Sequence, residues 1–184
     1  MIPDKIIEKC KKGDRPSQGM LYNTCAPYVF TVVKSYVKDE DYVKDIMQEA
    51  FAAIFKSIDS YDSKKGSFKP WIAQITIRKC INHLKYFEKF RICSDLEVVD
   101  TFSDEDFSHL DELSVNDISV LLHEMPSGYK TIFMLSVIDE YPHTEIAKLL
   151  DISPETSRSQ LHRAMKWIKK NIFKSSNHCR YEAL

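Results

Sequence analysis

Apolar residues return at helical rather than strand spacing along nearly the whole chain, and each run of them predicts one helix. Leu21, Cys25, Tyr28, Val29, Val32, Val33 and Tyr36 recur near 3.6 residues, with Pro27 as a kink or a start. Residues 41–59 give the clearest pattern. Tyr42, Ile46, Ala50, Ala53, Ile54 and Ile58 form one apolar face, and Asp39, Glu40 and Asp41 favour the positive end of the helix dipole. A loop, 60–68, turns at Gly66. Helical spacing resumes over 69–90, with Trp71, Ile75, Cys80 or Ile81, and Leu84 as its buried face. Pro126 and Ser127 start another helix over 126–141, with Ile132, Phe133, Leu135 and Val137 as core candidates. Val115 to Leu122 reads as the first helix of that second group.

The stretch from Pro142 to Lys170 reads as two helices joined by a tight turn. Pro142 suits a first helical position, where its missing N–H costs nothing, and Ile146, Ala147, Leu149 and Leu150 supply the stripe. Asp151 tolerates a left-handed turn, Ser153 is an N-cap, and Pro154 opens the second helix. There Leu161, Ala164, Met165 and Ile168 share the inner face, leaving Thr156, Arg158, Ser159, Gln160, His162, Arg163 and Lys166 on the rest of the surface. This is the pattern of a helix-turn-helix whose second helix enters the major groove. Arg bonds guanine bidentately, Gln bonds adenine, and Ser or Thr reaches bases or phosphates. An ordinary helical hairpin with a solvated face would show similar charges, so the rest of the chain must weigh in.

A length of 184 residues suits one or two domains with a real core, and only four glycines argue for few tight turns. No apolar run approaches a membrane span, and residues 1–12 lack a signal-peptide core. Cys10, Cys25, Cys80, Cys93 and Cys179 are odd in number and scattered, so neither a disulfide framework nor a zinc site is expected, and a reducing, cytosolic setting fits. His178 beside Cys179 has no further ligands near it.

The net charge of −1 hides strong segregation. Residues 1–90 carry 16 basic and 11 acidic side chains, residues 91–125 carry 1 and 10, and residues 126–184 carry 9 and 6. Two basic blocks therefore flank an acidic connector, whose composition over Asp95–Glu112 is that of a weakly ordered tether. Such a polyanion could also cover the basic faces of the free chain, an idea that deletion of 94–112 would test through duplex affinity. From Ser63 to Arg91 the basic residues are interleaved with Phe68, Trp71, Tyr86, Phe87 and Phe90, the composition of a single-strand platform. Trp71 fits the core better than that platform. Asp45, Gln48 and Glu49 cluster clear of the centre of the apolar stripe, without a histidine, phosphate loop or nucleophile, which favours a docking surface over catalysis.

D-x-x-Q-E-A-F at Asp45–Phe51, with F-K-P-W-I-A-Q-I at Phe68–Ile75, resembles region 2 of the sigma-70 family. M-P-S-G-Y-K-T-I-F-M-L at Met125–Leu135, E-I-A at Glu145–Ala147 and T-S-R-S-Q-L-H-R-A at Thr156–Ala164 resemble region 4. The order and separation are those of the extracytoplasmic-function group. The stretch Ile77–Lys85 departs from the usual pattern after the tryptophan, as do Asp151 in place of a glycine and Ser157 in place of an apolar residue.

The resemblance implies an all-α fold: two small helical domains, residues 1–92 and 115–184, joined by an acidic flexible linker at 93–114, the second domain holding the helix-turn-helix. It implies a non-enzymatic, cytoplasmic sigma factor without cofactor or metal, not inserted in a membrane. The partners implied are core RNA polymerase, promoter DNA and an anti-sigma factor. Asp45, Gln48, Glu49 and Phe51 would dock on the clamp coiled coil of the largest polymerase subunit. Ser63, Lys64, Lys65 and Phe68 would capture a base extruded from the minus-ten element, while Lys69, Arg78, Lys79, Asn82 and Lys85 follow the non-template strand. Arg158, Ser159, His162 and Arg163 would read the minus-thirty-five element, with Glu155, Thr156 and Lys166 at its margins. The alternative is a stand-alone two-domain regulator that binds DNA without polymerase.

Overall fold

The structure, a computed structural model, describes residues 2–87 and 121–178, with side chains over 2–85 and 121–171. The expected tether at 95–112, the helix start at 115–120, the platform aromatics Tyr86, Phe87 and Phe90, and the His178–Cys179 side chains lie outside these limits. Among the described residues every regular element is helical, and the chain divides into two compact units, Met1–Lys89 and Phe90–Leu184.

The first unit holds α1 (Asp4–Lys11), α2 (Arg15–Tyr36), α3 (Glu40–Ser57) with a following 3-10 turn (Ile58–Ser60), and α4 (Phe68–Phe87). Gly13, at φ +76°, ends α1, and its left-handed backbone lets Asp14 N–H return to Lys9 O at 3.1 Å. Asp14 then caps α2, its carboxylate accepting from Ser17 N–H at 3.0 Å. Pro27 lies inside α2 as neither start nor end. Leu21, Cys25, Val29, Val33 and Tyr36 still form a continuous buried row through it. Asp39 caps α3 by accepting from Asp41 N–H.

The helices α2, α3 and α4 pack against one another, and α1 packs on α2 and on the 3-10 turn. That arrangement corrects two expected faces. On α4 the buried residues are Phe68, Ile72, Thr76, Ile77, Cys80, Ile81 and Leu84, whereas Trp71 and Ile75 are half-buried. A helix wedged between two neighbours buries a wide face, and a narrow stripe cannot fix its phase. On α3, Val43 and Phe51 join Ile46, Ala50 and Ile54 in the core, while Tyr42 and Ala53 are half-buried.

The second unit holds helical residues 121–124, α5 (Ser127–Phe133) running into a π-helical turn (Met134–Ile138), α6 (His143–Leu150) and α7 (Pro154–His178). Leu121, Met125, Phe133, Ala164 and Ile168 form its core, with Leu122, Tyr129, Leu161, Met165 and Trp167 packed around them. The π turn rotates Val137 away from the expected core, leaving it 42% exposed, while Ile132, Phe133 and Leu135 are buried. Pro142 is the N-cap of α6 rather than its first residue: its carbonyl accepts from Glu145 and Ile146 N–H at 2.8 and 3.0 Å.

Candidate nucleic-acid and partner interfaces

On the first unit, Asp45, Gln48 and Glu49 stand exposed on successive turns of α3. Phe51 does not join them. It is 4% exposed, and its ring lies 4.4 Å from that of Tyr22 and 6.2 Å from that of Phe55. Its role is to pin α3 against α2. Tyr22, which the sequence pattern did not single out, is 43% exposed and packs on Phe51 from α2.

Four cations lie along α4, with Lys69 at its start half a turn away from Arg78 and Lys85 around the helix. Lys69, Arg78 and Asn82 are exposed, with Lys79 and Lys85 half-buried beside them. The Lys69 ammonium sits 4.5 Å from the centre of the Tyr28 ring, which orients it without neutralising it. Lys79 Nζ donates to Glu49 at 3.3 Å, so one ion pair ties the acidic group on α3 to the basic residues of α4.

Between α3 and α4 the loop presents Ser63, Lys64 and Lys65 to solvent. Asp62 shapes its start: the carboxylate accepts from Lys64 N–H at 3.0 Å and the carbonyl from Lys65 N–H at 3.0 Å, an Asx-type turn. The Tyr61 hydroxyl donates to Gly66 O at 3.1 Å and closes it. Phe68, expected at the loop's binding surface, is instead only 9% exposed. It meets Tyr61 edge-on at 5.0 Å and stacks on Trp71 at 5.5 Å, so the aromatic cluster is a floor beneath the loop.

On the second unit the turn between α6 and α7 forms as its residues dictate. Asp151 takes φ 59° and ψ 47°, and its own N–H and that of Ile152 both return to Ala147 O. Ser153 Oγ accepts from Thr156 N–H at 3.0 Å and lies 3.1 Å from Thr156 Oγ1, which commits Thr156 to the cap. The Glu155 carboxyl is held below its usual range by its own backbone N–H, then by the Ser153 hydroxyl and Arg158. Arg158 Nη2 donates to Glu155 at 2.8 Å, and both residues are exposed.

The outer surface of α7 carries Arg158 and Lys166 in solvent, with Ser159, His162 and Arg163 half-buried. Gln160, expected on that surface, is buried, as is Ser157. The inner row of α7 is therefore Ser157, Gln160, Ala164 and Ile168, with Leu161 and Met165 at its edge. Ser157 Oγ lies 2.8 Å from His143 Nδ1, joining the first turns of α6 and α7. Burial, and after it the charge of Arg158, pushes the His143 pKa below its ordinary value near 6.5. Spacing along the sequence gives no sign of this pair, which exists only once the two helices cross.

Two family models match the chain: Sigma-70 region 2 over residues 21–87, and Sigma-70, region 4 over residues 108–168. The first spans the α2–α4 core with its loop, and the second reaches through the turn into α7. Curated relatives agree over greater lengths. The RNA polymerase sigma factor SigV of Bacillus subtilis (strain 168) is 29% identical over 140 residues, covering 76% of this chain and 81% of the relative. The ECF RNA polymerase sigma factor SigW of the same organism is 26% identical over 185 residues, 94% of this chain and 97% of the relative. The ECF RNA polymerase sigma-E factor of Haemophilus influenzae is 25% identical over 181 residues, 91% of this chain and 93% of the relative.

Proposed function

The chain belongs to the extracytoplasmic-function group of the sigma-70 family and directs bacterial RNA polymerase in transcription initiation, and from that premise we propose how its side chains divide the work. Residues 1–92 dock on core polymerase and hold the minus-ten element, 93–114 link, and 115–184 read the minus-thirty-five element. The chemistry of chain synthesis belongs to the polymerase, since sigma factors are non-catalytic initiation factors.

In this reading Asp45, Gln48 and Glu49 meet basic residues of the clamp coiled coil, where charge-assisted hydrogen bonds supply both strength and register. Phe51 supports them from below. The exposed loop residues Ser63, Lys64 and Lys65 receive an extruded base over the aromatic floor. Unstacking that base costs a few kcal/mol, which charge neutralisation and hydrogen bonds from the loop offset. Lys69, Arg78, Lys79, Asn82 and Lys85 track the non-template strand. On α7, Arg158, Ser159, His162 and Arg163 face the duplex, Lys166 contacts a phosphate, and Glu155 and Thr156 hold the helix start.

The observation that carries this division is the adjacency on one unit of an exposed acid–amide group on α3 and the basic residues of α4, joined through Glu49 and Lys79. An acidic patch serves a basic protein partner, and basic side chains serve a polyanion. An anti-sigma factor that covers either surface would silence the chain. No described helix is long and apolar enough to cross a membrane. We place the chain's action in the cytoplasm, where promoter and polymerase are.

The test is affinity for core polymerase and specific initiation in a reconstituted assay. The double variant D45K/E49K should lower core affinity at least tenfold, about 1.4 kcal/mol, while its thermal unfolding stays that of the wild type. An unchanged affinity would move the docking surface off α3. A wild-type chain that binds promoter duplex but not core polymerase would favour a stand-alone regulator.

A further inference from the structure

The loop at 62–67, turned by its own Asp62, is also held by residues outside it. Tyr61, at its base, is 7% exposed and is held on three sides. Its hydroxyl donates to Gly66 O at 3.1 Å across the loop. Its ring packs against Phe68 at 5.0 Å and Trp71 at 5.5 Å, at the start of α4. Its carbonyl accepts from Lys11 Nζ at 3.0 Å, a bond that spans fifty positions in the chain. Lys11 lies at the end of α1, upstream of the matched region 21–87. It also donates to Glu8 at 2.8 Å, and the Asp59 and Asp62 carboxylates stand near enough to act on its charge.

The backbone on either side of Asp62 is therefore fixed twice, by an ammonium from α1 below and by a phenol hydroxyl above. Asp62 in turn orders Lys64 and Lys65 through its carboxylate and carbonyl. We infer that Tyr61 and Lys11 are positioning residues that set the 62–67 loop to discriminate among extruded bases, with α1 acting as a brace for promoter selectivity. Neither side chain touches DNA in this account. A preorganised loop discriminates because a wrong base must either leave its polar groups unmatched or deform a backbone that Tyr61 and Lys11 resist.

The inference rests on the base-capture reading of Ser63–Lys65, and the experiment separates the two. Holoenzyme reconstituted with core polymerase is assayed for the rate of open-complex formation on four promoters that differ only at the extruded base. Y61F removes one hydroxyl and keeps the ring, K11M removes the ammonium, and K11R restores a donor. A control chain carries a Gly-Ser segment of equal length in place of residues 63–67. Y61F and K11M should each compress the ratio of best to worst promoter by about three- to tenfold, the reach of one hydrogen bond. Core affinity should stay unchanged, and K11R should recover most of the ratio. A uniform slowing on all four promoters with weaker core binding would mean a merely structural role and would overturn the inference. So would a wild-type ratio in both variants when the loop replacement collapses it. If the loop replacement itself leaves the ratio intact, base capture by this loop fails, and the inference falls with it.

Discussion

His143 and Ser157 show how much a single pair can fix. A serine hydroxyl at zero exposure needs a partner, and the imidazole Nδ1 at 2.8 Å supplies it. Burial and then Arg158 lower the His143 pKa, so the folded unit resists a proton that the unfolded chain accepts near 6.5. The stability linked to His143 is thus complete above that value and is lost as pH falls through the lower folded pKa. Trp167 packs at the second unit's core, so in a W71F background its fluorescence reports that unit alone. The thermal midpoint should fall between pH 7.5 and 5, and H143Q should show a flatter profile. Equal slopes would remove His143 as the cause. Phe51 makes the opposite point about exposure. Phe51→Ala should cost about 3–5 kcal/mol in urea unfolding followed by Trp71, because the ring fills the space between α2 and α3. A loss under about 0.5 kcal/mol would return it to the surface.

At the scale of elements, what could be read from the chain was what is decided locally. Asp151, Ser153 and Pro154 each act through their own backbone or the next turn, and the α6–α7 junction forms around them as expected. The all-helical fold was legible for the same reason. Faces were harder, because burial depends on the neighbour. The α4 face could not be phased from its stripe while two partners shared it, and Gln160 looked like a surface residue until α7 turned it inward. Phe51 and Phe68 were legible as important but not as buried, since a motif does not say which of its residues are scaffold. Arg158 is exposed on α7, where the sequence pattern placed it. Its pair with Glu155 is exposed on both sides, worth about 0–1 kcal/mol, and so does not hold it back from a base. Arg158→Ala should weaken holoenzyme binding by about 1–3 kcal/mol on a matched minus-thirty-five duplex and far less on a scrambled one, measured by fluorescence anisotropy. Equal losses on both would make it a phosphate contact.

The chain divides into two units, and its sequence carries a small basic excess over 1–90 and over 126–184, with a strongly acidic stretch at 91–125 between them. So small an excess of basic charge favours weak binding by either segment alone, since non-specific affinity comes mostly from phosphate neutralisation. Linkage through the polymerase changes that arithmetic. Once the minus-ten element is held, the second element is met at an effective concentration set by the connection, and avidity rises by about 10²–10⁴ without any new contact. The free full-length chain should therefore bind an isolated minus-thirty-five duplex weakly, with affinity that falls steeply as salt is raised. Holoenzyme on a promoter carrying both elements should bind tighter by that factor. Shifting the spacing between the elements by half a helical turn should abolish most of the gain, because it turns the second site away from α7. If the free chain bound the isolated duplex as tightly as holoenzyme binds the full promoter, recognition would lie in α7 alone, and the docking surface proposed on α3 would contribute nothing to site selection.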